Sequence, residues 1–169
     1  MGVMAHMNIR RFRKEDWLQV KEIYEQGIAT GNATFETAAP PCEKWEAAIA
    51  DDLCLVAENE AGIQGWCKVS RVSDRCAYKG VGEVSVYVRA ECRGKGVGKQ
   101  LLQAMIKESE AKGFWTLNAG IFPENIPSLR LHLSMGFREV GIRERIGKLN
   151  GVWRDVVWLE RRSQIVGVD

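Results

Sequence analysis

The segment from Glu83 to Lys112 leaves few folds open to this chain. Glu83-Val84-Ser85-Val86-Tyr87-Val88 alternates with a period of two and reads as a strand. Arg93-Gly94-Lys95-Gly96-Val97-Gly98 is a glycine-rich turn, and Val97 to Lys112 carries Val97, Leu101, Leu102, Met105 and Ile106 as one apolar stripe at helical spacing. A strand, a tight turn and a helix start make a place for an anion. The first-turn N–H groups have no partner inside the helix, and the helix dipole puts partial positive charge there. Gly94, Gly96 and Gly98 let the backbone approach a phosphate, while Arg93, Lys95 and Lys99 add full charges. The expected ligand is a phosphate or diphosphate; the competing reading is an ordinary βα turn with solvated basic residues.

The spacing separates this turn from two common phosphate motifs. A P-loop requires Ser or Thr after Gly-Lys, and here Gln100 follows Gly98-Lys99; its first glycine would fall at position 93, which is Arg. A dinucleotide fingerprint would need a glycine where Lys99 stands. Phosphoryl transfer is disfavoured for the same reason, since no hydroxyl follows the turn to hold magnesium. The whole-chain charge of +2 is too small to argue for nucleic acid, and no apolar run approaches the roughly 20 residues of a membrane span. Cys42, Cys54, Cys67, Cys76 and Cys92 are odd in number and contain no C-x-x-C pair, which reads as reduced thiols in a cytoplasmic protein. With His6 and His132 as the only histidines, neither a Cys-His nucleophile nor a metal site is expected.

At 169 residues the chain is expected to form one domain, spanning 7–162, after an N-terminal extension of residues 1–6 and before a tail of residues 163–169. Asn8 to Phe12 reads as an edge strand, Glu15 to Ala29 as an amphipathic helix, and Pro40-Pro41 as the opening of a second helix with Trp45, Ala48 and Ile49 on one face. Leu53 to Glu58 and Ile63 to Val69 form a hairpin around Asn59 to Gly62, and Ser70 to Gly82 is a loop. After the central strand, turn and helix come a strand at Trp115 to Ile121, a short helix at Glu124 to Met135 capped by Gly136, and a hairpin of Phe137 to Ile146 and Val152 to Glu160 turning at Asn150-Gly151. The order β-α-α-β-β-β-α-β-α-β-β predicts an α/β (α+β) fold, one mixed central sheet with helices on both faces.

That order, with R-G-x-G-x-G after the central strand and Asn125-x-x-Ser128-x-x-Leu131-His132-x-x-x-Gly136-Phe137 further on, resembles the GCN5-related N-acetyltransferase (GNAT) superfamily over Met7 to Arg161. Asn32 to Phe35, Arg75-x-Ala77-Tyr78, Glu83-x-x-Val86-Tyr87-Val88 and Asn150-Gly151-x-Trp153-x-Asp155 bring it close to the phosphinothricin and methionine sulfoximine acetyltransferase-like branch. Arg154, where many members have His or Leu, and Val72, where a tryptophan is common, depart from that branch near the acceptor pocket. The resemblance implies an acetyl-CoA-dependent N-acetyltransferase for a small amino-acid-like amine, acting by direct attack on the thioester, without a metal and as a homodimer. Acetylation of a protein N-terminus or another amine, and a non-catalytic acyl-CoA-binding module, are the alternatives.

The resemblance also suggests roles. The turn from Arg93 to Lys99 would hold the coenzyme A diphosphate, and the main chain of Val86, Tyr87 and Val88 would bond the pantetheine arm like an added strand. A backbone N–H there would face the thioester oxygen, a contact worth roughly 3 kcal/mol. Asn125 and Ser128 would touch the arm or the phosphates, although simple helix capping also accounts for Asn125. Glu83 is the candidate general base, since a carboxylate within a central sheet is costly unless paired or functional; a salt bridge to Arg75 is the competing reading. His132 is the second catalytic candidate, as acid toward the departing thiolate or as base, or else structural. Phe35, Arg71, Arg75, Tyr78 and Glu83 would form the acceptor site, with arginine taking a substrate carboxylate. Trp153 either completes that pocket, from a neighbouring subunit in one version, or packs in the core.

Overall fold

The computed structural model describes residues 6–169, so the expected extension at 1–6 lies, except for His6, outside the described residues. Seven strands form one sheet: β1 (Asn8–Arg11), β2 (Cys54–Asn59), β3 (Gly62–Arg71), β4 (Val81–Val88), β5 (Thr116–Ile121), β6 (Arg138–Leu149) and β7 (Val152–Arg162), in the spatial order β1-β2-β3-β4-β5-β7-β6. Among the described residues four α-helices accompany them: α1 (Trp17–Ala29), α2 (Cys42–Ala47), α3 (Val97–Ala111) and α4 (Ile126–Ser134). The expected element order and mixed sheet are those observed. β4 and β5 pair in parallel, and every other strand pair is antiparallel.

Alternation along the strands divides the core into two layers. Leu55, Ala57, Cys67, Val69 and Val84 face α3, whose Val97, Leu101, Leu102, Met105 and Ile106 are all buried as the stripe requires. Val56 and Trp66 face the other way and meet Val20 and Ile23 of α1 and Trp45 of α2. Tyr87 joins this second layer, its ring stacked on Trp66 at 4.6 Å, while Val86 and Val88 pack with the first. Glu83, Ser85 and Tyr87 therefore share the face expected of them.

α2 is shorter than its sequence suggests. Pro41 is its N-cap and Ala48 its C-cap, so Ala48 is exposed and only Trp45 of the expected trio is fully buried. At the C-terminus, Arg162 donates to the carbonyls of Ser163, Val166 and Gly167, and the Ser163 amide bonds Trp115. The residues after β7 are thus folded back onto the start of β5. At the tip of the last hairpin Asn150 and Gly151 both take positive φ, 50° and 79°, as a type I′ turn demands.

Candidate active site

The feature that builds the site is a parting of the sheet. β4 and β5 pair only at Val81–Thr116, Gly82–Leu117 and Glu83–Asn118. Beyond Glu83 the strands diverge: β4 continues against β3 as far as Val88, and β5 continues against β7 as far as Ile121. The β5-facing edge of residues 84–88 is left without a strand partner. An uncovered strand edge offers main-chain donors and acceptors to an extended ligand. A cavity of about 940 Å³ occupies this gap and is lined along one side by Glu83 to Val88.

One end of the cavity is the turn before α3. Gly94 and Gly96 adopt φ of 75° and 81°, and Gly96 is the helix N-cap with no side chain capping it. An L-residue would be strained at either position. Arg93, Gly94, Gly96, Val97, Gly98 and Lys99 all line the cavity; Lys95 is exposed and does not. This is a concavity of first-turn amides flanked by two cations, and its chemistry suits a diphosphate.

The opposite wall belongs to α4. Asn125 caps this helix by accepting from the Ser128 amide, and its Nδ2 donates to the Asn32 carbonyl at 3.1 Å, which ties the 30–36 segment to the cavity. The capping explanation of Asn125 is therefore part of the truth, although Asn125 and Ser128 both line the cavity. His132 also borders it and is 3% exposed. Its Nδ1 lies 2.7 Å from the Ser128 carbonyl oxygen. A carbonyl only accepts, so Nδ1 carries the hydrogen and Nε2 keeps its lone pair. Nε2 is buried and has no partner. Burial holds the imidazole below its usual proton affinity, partly offset by that hydrogen bond. Burial and the tautomer both favour the neutral ring, with Nε2 as its acceptor atom.

Glu83 stands where the two strands separate. Burial raises its proton affinity, and the Arg143 guanidinium opposes that shift. The neighbouring cation is Arg143, not the Arg75 considered from the sequence. Among the described residues Glu83 forms no salt bridge. A half-buried carboxylate without an ion-pair partner is chemically suited to accept a proton near neutral pH.

Of the expected acceptor-site residues, the structure brings Phe35 and Glu83 to the cavity and leaves Arg71, Arg75 and Tyr78 away from its lining. Arg71 is engaged by Asp51 and by the Lys79 carbonyl. Arg75 lies over the ring of Tyr78, and both are exposed. The loop carrying them turns through a short 3-10 segment at Cys76–Tyr78 before β4 begins. Trp153 is 47% exposed beneath Lys148 and Arg145, so within one chain it neither packs in the core nor reaches the cavity. In place of the absent residues the cavity has Phe122, Arg143 and Trp158. Phe35 packs edge-on against Phe122 at 4.9 Å, and the Arg154 guanidinium covers Phe122 at 4.2 Å. Sequence reasoning noted Arg154 as a departure but missed Arg143, Trp158 and Phe122; the signal for Arg143 and Trp158 was strand alternation through β6 and β7, and Phe122 directly follows β5.

Comparison with known proteins agrees with this architecture. Residues 9–158 match the family described as the Acetyltransferase (GNAT) domain. The chain is 31% identical over 159 residues to the phosphinothricin N-acetyltransferase of Alcaligenes faecalis, covering 90% of this chain and 81% of that one. It is 36% identical over 107 residues to the L-methionine sulfoximine/L-methionine sulfone acetyltransferase of Pseudomonas aeruginosa, covering 63% and 62% of the two chains. The crystal structure of a GNAT superfamily phosphinothricin acetyltransferase from Sinorhizobium meliloti in complex with AcCoA superposes with a TM-score of 0.83 at 27% identity, over 96% of each chain. With the parted sheet, the uncapped α3 turn and a family match across nearly all of the domain, the chain belongs to the GNAT acetyltransferase family.

Proposed function

We propose that this protein transfers the acetyl group of acetyl-CoA to the amine of a small amino-acid-like acceptor. The observation that carries the reading is the gap between β4 and β5, closed at one end by the amide-lined turn before α3 and holding the half-buried Glu83 at its apex. In this reading the diphosphate rests on the turn from Arg93 to Lys99. The pantetheine arm lies along Val86 to Val88, and Ser128 and Asn125 face it from α4.

Glu83, directly or through a water, takes one proton from the acceptor ammonium. The freed amine nitrogen attacks the thioester carbon, a main-chain N–H of β4 supports the oxyanion, and the C–S bond breaks. The thiolate needs one proton, and the attacking nitrogen must lose one more. That proton passes from nitrogen to sulfur directly or through water; a relay through His132 requires its buried Nε2 to become reachable from the cavity. An acid role for His132 requires that it first take up this proton, because it rests neutral.

The proposal includes a homodimer and a cytoplasmic setting. Ile142 and Trp153 are exposed on the β6–β7 hairpin, apolar area that a second copy would cover. Cys54 and Cys67 are free, buried thiols, which suits a reducing compartment. Among the described residues no helix is long and apolar enough to cross a membrane.

The test is acetyl-CoA consumption across methionine sulfone, methionine sulfoximine, phosphinothricin and a peptide with a free N-terminus. Turnover with one or more of the three small acceptors is expected. Turnover with the peptide alone would redirect the function to protein N-termini. Tight coenzyme binding with no turnover on any amine would make the protein a binding module.

A further inference from the structure

Two guanidinium groups stand beside the acceptor end of the cavity, and they differ in what they already hold. Arg154 is committed: it donates to the Gly31 carbonyl and the Asn32 side chain, each at 2.8 Å, and pairs with Glu124. Arg143 is exposed at the cavity mouth, and among the described residues it forms no ion pair. Its guanidinium carbon lies 4.3 Å from the centroid of the Trp158 ring. Stacking on an aromatic face fixes the plane of the fork and leaves its N–H edge available.

Register places this cation relative to Glu83. Glu83 lies opposite Asn118, Gly120 lies opposite Trp158, and Val156 lies opposite Arg143. Because side chains alternate, these residues project on one face of the sheet. At Gly120 that face carries no side chain, and Trp158 and Val156 pack close over the backbone: a Cβ there would sit 3.2 Å from both. The missing side chain lets the Trp158 indole lie close against β5, on the face that Glu83 shares. The Glu83 carboxylate and the Arg143 guanidinium thus line one cavity from the same face of the sheet, with opposite charge.

We propose that Arg143, held over the Trp158 ring, binds the carboxylate of the acceptor while the acceptor's amine points toward Glu83. This rests on the acetyl-transfer reading and names its substrate class: a free amino acid. A protein N-terminus has an amide where that carboxylate would be and gives Arg143 nothing to pair with. The anchor replaces Arg71 and Arg75, which stand away from the cavity.

The experiment compares methionine sulfone with its carboxamide as acceptors for the parent, Arg143→Leu and Arg143→Lys. The parent is expected to favour the acid by roughly ten- to a hundredfold in kcat/KM, the range of a hydrogen bond to a charged group. In Arg143→Leu this preference collapses through a higher KM for the acid, and Arg143→Lys restores part of it. Calorimetry should show acetyl-CoA affinity alike in all three, which separates loss of the anchor from loss of the fold. An acid preference that survives in Arg143→Leu overturns the anchor while leaving acetyl transfer intact. A second measurement is independent of turnover: N-acetylmethionine sulfone is titrated into the parent and Arg143→Leu in the presence of coenzyme A. If no amine is acetylated but this acid binds the parent at least tenfold more tightly, the transfer reading falls and the anchor stands. No binding to the parent, or equal binding to both, overturns the anchor.

Discussion

Glu83 carries an electrostatic conflict: burial favours its protonated form, and the charge of Arg143 opposes it. Its raised proton affinity has consequences of opposite sign for activity and for stability. As a base it works only when ionised, so kcat/KM should rise with pH through the raised value. Glu83→Gln should lower kcat by roughly 10²- to 10⁴-fold, the usual range for a general base, with acetyl-CoA affinity unchanged. A pH–rate profile from pH 5 to 9 that is the same for parent and variant would remove Glu83 from the chemistry. For stability, a carboxyl whose folded value is raised binds its proton more tightly folded than unfolded. Its contribution is complete below the unfolded value of about 4.3 and is lost as pH rises through the folded one. Glu83→Gln should therefore melt higher than the parent at pH 8, with the gap closing toward pH 4. The face of Glu83 was legible because β4 alternates cleanly. Arg143 was not, since β6 shifts register against β7 between Glu139 and Gly141 and again between Arg143 and Gly147. Each shift breaks the period-two count that assigns a residue to a face.

Among the elements, α3 was the most legible, because its buried stripe and the glycine turn before it each follow from a local rule. Arg93 and Lys99 line the cavity beside the uncapped N-terminus, so their charges should assist a diphosphate that the amides hold. Arg93→Ala combined with Lys99→Ala should weaken coenzyme A binding by about tenfold at low salt, and by less at high salt where exposed charges are screened. Calorimetry at two salt concentrations checks this; the same loss at both would show that the two cations do not act through charge. The loop from Val72 to Gly80 shows the opposite case. Its residue types suggested an anion pocket, but a loop's path depends on its packing partners. Here Asp51 and the Lys79 carbonyl hold Arg71, while Tyr78 lies under Arg75.

In the whole molecule, His132 contributes a pH dependence opposite to that of Glu83. Its folded value is lowered, so its contribution is present above the unfolded value near 6.5 and is lost as pH falls through the folded one. Thermal melts of His132→Phe should depend less on pH than the parent between pH 7 and pH 5; an unchanged slope would show that His132 is not buried neutral. The long β6–β7 hairpin sets the molecule's outer surface. A particle near twice the chain mass of 19.0 kDa is expected in light scattering, and Ile142→Asp with Trp153→Asp should return it to one chain. A parent already monomeric would contradict the dimer. The fold as a whole was readable because element order and alternation determine one mixed sheet. The parting of β4 from β5 was not, because a pairing that stops at Glu83 leaves no mark in the composition of either strand. That parting and the uncapped turn support the whole account, and a crystal structure of the complex with acetyl-CoA tests them most directly. The account predicts diphosphate oxygens about 3 Å from main-chain nitrogens between Gly94 and Lys99, with the pantetheine arm lying in the gap along β4. Coenzyme bound elsewhere, with the α3 N-terminus closed by protein side chains, would contradict it.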